Sequence, residues 1–233
     1  MYDTIPNLVF GFHGCDQTTC NTLLNNRDRI KISQGPFEWL GHGMYFWQNN
    51  YERAWDWAKD KCKKGKINKP AVIGAVLDLG YCCDFLSTKH IEMFKSFYHE
   101  TCDLYKRLGI PLPKNKDVPQ DKHKNKLLRE LDCAVIEYMY TSIADQIEED
   151  LNIRGFSEQR LPDSVRGAFV EGGPIFEGSG IYEKTHIQIC IRNPKCIIGF
   201  FLPREENVAF DFDDNDVSDD RFTVSGTQFP YDI

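Results

Sequence analysis

The chain has 233 residues, enough for one large domain or for one domain with appendages. Its composition of 41% hydrophobic, 13% aromatic and 27% charged residues excludes disordered, collagen-like and coiled-coil proteins. No apolar run approaches the roughly 18 to 20 residues of a membrane helix, and the N-terminus lacks the pattern of a signal peptide. We therefore expect a globular cytoplasmic protein with no membrane partner.

Nine cysteines lie scattered along the chain. An odd number of cysteines without a signal peptide indicates reduced thiols in a cytosolic compartment. A zinc site is the alternative, but the sequence contains no C-x-x-C pair, and the adjacent Cys82 and Cys83 would point to opposite faces of a strand. We therefore expect buried, inert cysteines and no bound metal.

The net charge of −7 comes from the C-terminal end of the chain. Residues 204–233 hold nine acidic and two basic side chains, so the charges of the preceding residues balance. Basic stretches occur at 59–69 and 106–129, where solvated loops and helix faces are the simpler explanation. The pattern permits a nucleic-acid or phosphate-rich substrate but does not require one.

Apolar runs and helical patterns divide the chain into predicted elements. In the first half these are a strand at 8–12, a short helix that ends at 24, a turn at 35–43, an extended stretch at 44–47, a helix at 51–61 and a buried strand at 70–80. Asp16, Thr18 and Thr19 are the candidate caps of the first helix.

In the second half the predicted elements are helices at 89–105 and 124–150, a flexible surface loop at 108–120 that joins them, and strands at 164–171, 185–192 and 195–202. This order predicts an α+β fold with a split, curved mixed sheet and an inserted helical segment. We expect the N-terminal strand to lie beside the late strands, with a cleft at their shared end.

Two glycine-flanked elements carry the most information: Gly11-Phe12-His13-Gly14 ends the first strand, and Gly41-His42-Gly43-Met44-Tyr45-Phe46 precedes a helix. In this order, and followed by the apolar strand VIGAVLDLG, they resemble the catalytic domain of the ADP-ribosyltransferases. The likeness is to the H-Y-E branch shared by diphtheria toxin and the poly(ADP-ribose) polymerases. It covers most of residues 8–80 and, more loosely, 164–202. The fuller pattern WLGHGMYFWQNN…RAWDWA also looks like a bacterial group of uncharacterised proteins related to these transferases.

The resemblance implies an enzyme that transfers ADP-ribose from NAD, its co-substrate, to a macromolecular acceptor and releases nicotinamide. His13 would bond the adenosine ribose, Gly14 would pair with the carboxamide, and Tyr45 would stack on the nicotinamide ring. The remaining NAD-binding candidates are Phe12, Gly43, Phe46 and Arg166. Arg166 suits the diphosphate, and an ordinary ion pair is the alternative.

The third catalytic position departs from the family pattern. The family places a glutamate at the start of the strand before the last one, where it binds the nicotinamide ribose. Counting back from the last strand leads to 186–188, where no residue is acidic. Gln188 and Glu183 are equal candidates for this position, and the loop acids Glu171 and Glu177 are further alternatives.

Three readings of the function stay open. The chain transfers ADP-ribose to a protein or a nucleic acid, hydrolyses NAD, or binds a nucleotide or partner without catalysis. The expected domains are an ADP-ribosyltransferase-like domain at 1–203, with a helical insertion at about 89–160, and an acidic C-terminal extension at 204–233. Family analogy adds a neutralising, antitoxin-type partner if the activity is toxic.

Overall fold

The computed structural model describes residues 8–119 and 121–204. The main helices and strands are β1 Val9–Asp16, α1 Gln17–Asn25, β2 Met44–Gln48, α2 Tyr51–Lys63, β3 Pro70–Leu77, β4 Cys82–Asp84, α3 Thr88–Leu108, β5 Asn115–Lys116, β6 Leu128–Arg129, α4 Glu130–Arg154, β7 Ser164–Phe169, β8 His186–Ile191 and β9 Ile197–Phe201. Within these described ranges, no helix is both long enough and apolar enough to cross a membrane.

Seven strands form one sheet in the order β4-β7-β8-β2-β1-β3-β9. Neighbouring strands are antiparallel, except that β4 and β7 run parallel. The α+β class and the mixed sheet are therefore confirmed. The predicted place of the N-terminal strand is wrong, because β1 lies between β2 and β3, while the late strands β8 and β9 pair with β2 and β3. Strands that are close in sequence are usually neighbours in a sheet, as β1 is of β2 and β3.

The sheet opens between β1 and β2. These strands pair only through Gly11↔Gln48 and Phe12↔Trp47. Beyond Phe12, β1 continues along β3 as far as Asp16↔Pro70, whereas β2 follows β8 from Trp47 back to Met44. The two strands therefore separate at His13, and we call this opening the split. It lies inside the sheet, between β1 and β2.

Helices cover both faces of the sheet. On one face, α1 packs over a core that includes Phe46, Leu77 and Ile189. On the other face, Tyr45 packs in a core with α4 and Trp47 in a core with α2. Because side chains alternate along a strand, Tyr45 and Trp47 share a face and Phe46 takes the opposite one. Helices α2 and α4 therefore flank the part of the sheet that contains the split.

The adjacent cysteines follow the same alternation. Cys82 lies in the core under α1 and Cys83 in the core under α4, so the prediction that they point to opposite faces is confirmed. All nine cysteines are free thiols, and seven of them are buried. In residues 8–119 and 121–204, no group of three or more His, Cys, Asp or Glu side chains is placed to hold a metal ion.

The first helix begins as predicted, and the last begins later. The Asp16 carboxylate accepts a hydrogen bond from the Thr18 amide at 3.0 Å and caps α1. The predicted helix at 124–150 is wrong in its first six positions, because Lys124 and Lys126 have positive φ angles of 56° and 51°, which an α-helix does not accommodate. Residues 128–129 instead pair with Asn115–Lys116 as a small antiparallel ladder, so the predicted loop at 108–120 also contains a strand.

Candidate functional site

A cavity of about 540 Å³ opens at the split. Its walls come from β1, the loop before β2, β2 itself, α2, and the facing ends of β7 and β8. Four of the sequence-predicted site residues line it, namely His13, Gly14, Gly43 and Tyr45, and so does Gln188, one of the two candidates for the third position. Residues that are more than 170 positions apart in the sequence therefore share one cavity.

The imidazole of His13 bridges the split. Its Nδ1 lies 2.8 Å from the Tyr45 carbonyl oxygen, and because a carbonyl only accepts, Nδ1 carries the hydrogen. Burial lowers the pKa of His13 below its ordinary value, an effect that this hydrogen bond only partly opposes. The neutral ring keeps Nε2 as a hydrogen-bond acceptor on the cavity wall.

Gly14 presents its backbone to the split. The Phe10 carbonyl accepts from the Asn49 amide on the β2 side at 3.0 Å, and polar backbone groups alternate with a period of two, so those of Gly14 face the same side. Continuing the Phe12↔Trp47 register would pair Gly14 with Tyr45. The Tyr45 carbonyl is instead bonded to His13, which leaves the amide and carbonyl of Gly14 directed into the opening.

The absence of a side chain at Gly14 has a different cause from the one expected. A Cβ atom there would overlap the Ala54 carbonyl oxygen of α2 and lie 3.2 Å from the Trp57 ring. Glycine is therefore required because α2 packs directly on β1. The close packing also brings Trp57 to the cavity wall.

Tyr45 has one buried end and one end on the cavity. Its hydroxyl accepts from the Leu40 amide at 2.9 Å and donates to the Gly41 carbonyl at 2.8 Å. Burial raises the pKa of Tyr45, so the hydroxyl stays protonated. The hydroxyl thus holds the turn before β2, while the ring lines the cavity.

Strand β8 begins at His186, which settles which residue starts the strand before the last one. His186 is 5% exposed and stacks on Phe169 with ring centroids 5.5 Å apart. Burial lowers its pKa to about 4, and Arg53 and Arg129 add to this effect. Gln188 also lines the cavity, and its side-chain oxygen accepts the indole hydrogen of Trp39.

Glu171 is the acidic alternative that reaches the cavity. Its carboxylate accepts from Arg53 Nη2 at 3.0 Å and lies 4.0 Å from Lys184 Nζ. The main-chain carbonyl of Glu171 accepts a hydrogen bond from the Lys184 amide, which connects the loop after β7 to the residues just before β8. The Glu171 carboxylate therefore lies on the cavity lining close to the start of β8, but it is paired with the two cations Arg53 and Lys184.

The other candidates lie outside the cavity lining. Glu177 and Glu183 are exposed on the loop between β7 and β8. Phe12 packs against Tyr51 and Phe201, and Phe46 is fully buried in the core.

Arg166 also lies away from the cavity lining. Its guanidinium donates at 2.7 Å to both Gln48 and Asp84. The structure thus shows the ion-pair alternative for this residue.

Several lining residues were not predicted from the sequence, namely Trp47, Arg53, Trp57, Phe169 and His186. His186 fell within the counted window of 186–188, where no residue is acidic, and was not chosen as a candidate. The others are aromatic or paired side chains that look like ordinary core or surface residues until the split brings them together.

Three lysines lie on the cavity lining, and we call Lys31, Lys61 and Lys64 the rim lysines. The acids Glu38 and Asp60 line the same cavity. Burial lowers the pKa of Lys61, and the neighbouring charges of Lys66 and Lys64 lower it further. The Lys61 ammonium also lies 4.8 Å from the centre of the Trp57 ring. The charge of Glu38 opposes the fall in the pKa of Lys61, so the lysines favour an anionic ligand only against the charge of a neighbouring acid.

Comparison with known proteins identifies one distant relative and no family. No family model matches the chain, and no solved structure matches it. An uncharacterised protein of Methanocaldococcus jannaschii is 27% identical over 90 residues, which is 37% of this chain and 42% of that protein. The match therefore covers less than half of either chain.

Proposed function

We propose that this protein transfers ADP-ribose from NAD to a macromolecular acceptor and releases nicotinamide. The observation that carries the proposal is the split, where His13, Gly14 and Tyr45 line one cavity and His13 bridges to the Tyr45 carbonyl. The order of these residues resembles that of the ADP-ribosyltransferases, and their place on one cavity lining supports the roles that the resemblance implies.

In the proposed reaction, the bond between C1′ of the ribose and the pyridinium nitrogen of NAD breaks. The bonding electron pair goes to the nitrogen, so nicotinamide leaves as a neutral molecule and positive charge develops on the ribose. A nucleophile X–H of the acceptor then attacks C1′, the C1′–X bond forms, and the proton of X–H is released. With water as X–H, the same steps hydrolyse NAD.

The chain's groups hold the substrate for this step. The amide and carbonyl of Gly14 suit the two ends of a carboxamide, and the Tyr45 ring offers a face for the pyridinium. His13 Nε2 accepts from a ribose hydroxyl. The rim lysines Lys31, Lys61 and Lys64 suit the diphosphate and, beyond it, an anionic acceptor.

A non-catalytic nucleotide-binding module is the second candidate. Strand β8 begins with a neutral histidine, and the nearby Glu171 carboxylate is already paired with Arg53 and Lys184. Less negative charge is therefore available to stabilise the developing cation. Measured turnover separates this candidate from the transferase.

The test is incubation of the purified protein with labelled NAD in a cell lysate, with nicotinamide release and macromolecular label measured together. We expect both, and we expect His13→Ala to reduce them by about 100-fold or more because the substrate loses its alignment. His99→Ala, at an exposed histidine on α3, is the matched control and should act like the native chain.

Separate protease and nuclease digestion then identifies the acceptor. Release of nicotinamide without macromolecular label would establish NAD hydrolysis instead. Binding of NAD without any release of nicotinamide would establish the non-catalytic module and reject the transferase.

A further inference from the structure

A run of lysines begins in the last turn of α2 and continues towards β3. Residues 61–69 contain five lysines and no acidic residue, and we call these lysines the lysine turn: Lys61, Lys63, Lys64, Lys66 and Lys69. Lys63 forms a loose ion pair with Asp60 at 3.9 Å. Among the described residues, the other four lysines form no ion pair. The lysine turn therefore carries positive charge that the described part of the chain leaves without a partner.

The backbone gathers these lysines in one place. At the end of α2, Gly65 has a φ angle of 67°, and the Lys66 amide donates to the Lys61 carbonyl at 2.9 Å. A C-terminal motif of this kind reverses the direction of the chain, so it returns Lys66 to the last helical turn. The charges of Lys66 and Lys64 are close enough to add to burial in lowering the pKa of Lys61. The cations thus form one cluster on the surface.

The lysine turn starts at the cavity and leads away from it. Lys61 and Lys64 lie on the cavity lining, whereas Lys66 and Lys69 do not. Trp57 lies on the same lining with 36% of its surface exposed, and the Lys61 ammonium is 4.8 Å from the centre of its ring. A ligand in the cavity can therefore continue past Trp57 to the lysines outside.

Acidic groups offset the lysines inside the cavity but not those outside it. Glu38 and Asp60 share the lining with two lysines of the turn. Beside the outer lysines, the Asp16 carboxylate accepts from the amides of Asn68 and Lys69 at 2.7 and 3.1 Å. Because Asp16 is occupied by these backbone donors, the outer lysines are left to bind an anion from outside the protein.

A single strand of nucleic acid suits this arrangement. NAD bound in the cavity accounts for the lysines on its lining and not for those outside, whereas a strand carries phosphates along its whole length. A group inside a duplex is stacked and does not reach a cavity within a sheet, so a single strand is favoured over a duplex. An exposed aromatic ring beside a row of cations is also typical of single-strand binding sites.

We propose that the acceptor is a single-stranded nucleic acid whose phosphates bind the lysine turn while one of its nucleotides enters the cavity beside Trp57. The inference rests on the proposed function and names the class of its acceptor. The bond between C1′ and the pyridinium nitrogen breaks with its electron pair going to nicotinamide, a bond forms between C1′ and a nucleophilic atom of the strand, and the proton of that atom is released.

The test compares two double variants of the full chain. Lys66→Gln with Lys69→Gln removes the lysines of the turn that lie outside the cavity lining. Lys95→Gln with Lys106→Gln, at exposed lysines of α3, is the matched control because it changes the net charge equally. The probes are fluorescein-labelled single strands of DNA and of RNA of about 12 nucleotides, and a polyglutamate peptide of equal charge.

Fluorescence anisotropy at increasing salt measures binding of each probe. We expect the native chain to bind the strands and to lose affinity as salt rises. The Lys66/Lys69 variant should bind them about tenfold more weakly at low salt and should lower the slope of log Kd against log salt concentration by about 0.7 for each lysine. The Lys95/Lys106 variant should bind like the native chain. Thermal unfolding confirms that both variants are folded.

Labelled NAD then tests transfer to the same probes. We expect the Lys66/Lys69 variant to raise the KM for the strand and to leave kcat and the affinity for an uncleavable NAD analogue unchanged, because neither lysine lines the cavity. The strand that takes the label identifies the acceptor as DNA or RNA.

The outcomes separate the inference from the proposed function. If the native chain releases nicotinamide but does not bind the strands, or if both double variants bind them equally, the lysine turn is not the docking surface and the proposed function stands. Label on polyglutamate and not on the strands would make the acceptor a protein and also reject the inference. If no nicotinamide is released with any probe or in lysate, the proposed function is rejected and the inference falls with it.

Discussion

Tyr45 combines two roles in one side chain. The hydroxyl bonds Leu40 and Gly41 in the turn before β2, and the ring forms part of the cavity wall. Because the two ends contact different parts of the protein, substitutions can separate folding from ligand binding.

Tyr45→Phe should reduce the free energy of unfolding by about 1–3 kcal/mol, because the buried Leu40 amide loses its acceptor. It should leave NAD affinity within a few-fold of the native value. Tyr45→Ala should also weaken NAD binding by about 1–3 kcal/mol, because the ring contact and its burial are lost. Denaturant unfolding and calorimetry measure the two effects, and a similar loss of affinity in both variants would contradict the separation of roles.

The sequence predicts individual residues of the site to different degrees. His13 and Tyr45 could be recognised from the sequence because each lies in a short motif with glycines, and the motif of Tyr45 is followed by a predicted helix. His186 was not chosen over Gln188, because the resemblance calls for a glutamate at this position and the window of 186–188 contains no acid. Trp47 and Arg53 carry no local signal, since their role depends on where two strands separate.

At the scale of elements, the contact between β1 and α2 shapes the cavity. Gly14 lets α2 lie directly on the strand, and this position brings Arg53 and Trp57 to the cavity wall. A side chain at Gly14 would meet backbone atoms of α2, which cannot rotate away. The helix must therefore move as a unit if the position is filled.

Gly14→Ala should destabilise the fold by about 1–3 kcal/mol or more through overpacking and should widen the split. Gly199→Ala is the matched control, because a Cβ atom at that position in β9 meets open space. Thermal unfolding of both variants provides the comparison. Equal stability of the two proteins would show that α2 does not press on β1 as described.

Most predicted elements are confirmed, because apolar runs and caps are local signals. The pairing order is not local, and β1 was placed beside the wrong neighbours for that reason. The prediction of a helix from 124 was wrong because Lys124 and Lys126 adopt left-handed backbone angles. A lysine in the sequence gives no indication of such angles. The Asn115 side chain also fixes the true start of α4 by bonding the Leu131 amide at 3.0 Å, a contact across 16 positions.

For the whole molecule, charge divides along the chain. The acidic residues of 204–233 carry the net charge of −7, while lysines and acids together line the cavity. The predicted extension at 204–233 lies outside the described residues apart from Arg204, so its role as an appendage stays a prediction. The site itself draws on strands from both ends of the chain, so it forms only when the sheet is complete.

The measurement that tests this account most directly is a crystal structure of the protein with an uncleavable NAD analogue. We predict that the carboxamide bonds the amide and carbonyl of Gly14 and that the pyridine ring lies against Tyr45. An analogue bound away from the split, or an empty split in crystals grown at a concentration that saturates the protein in solution, would contradict the account.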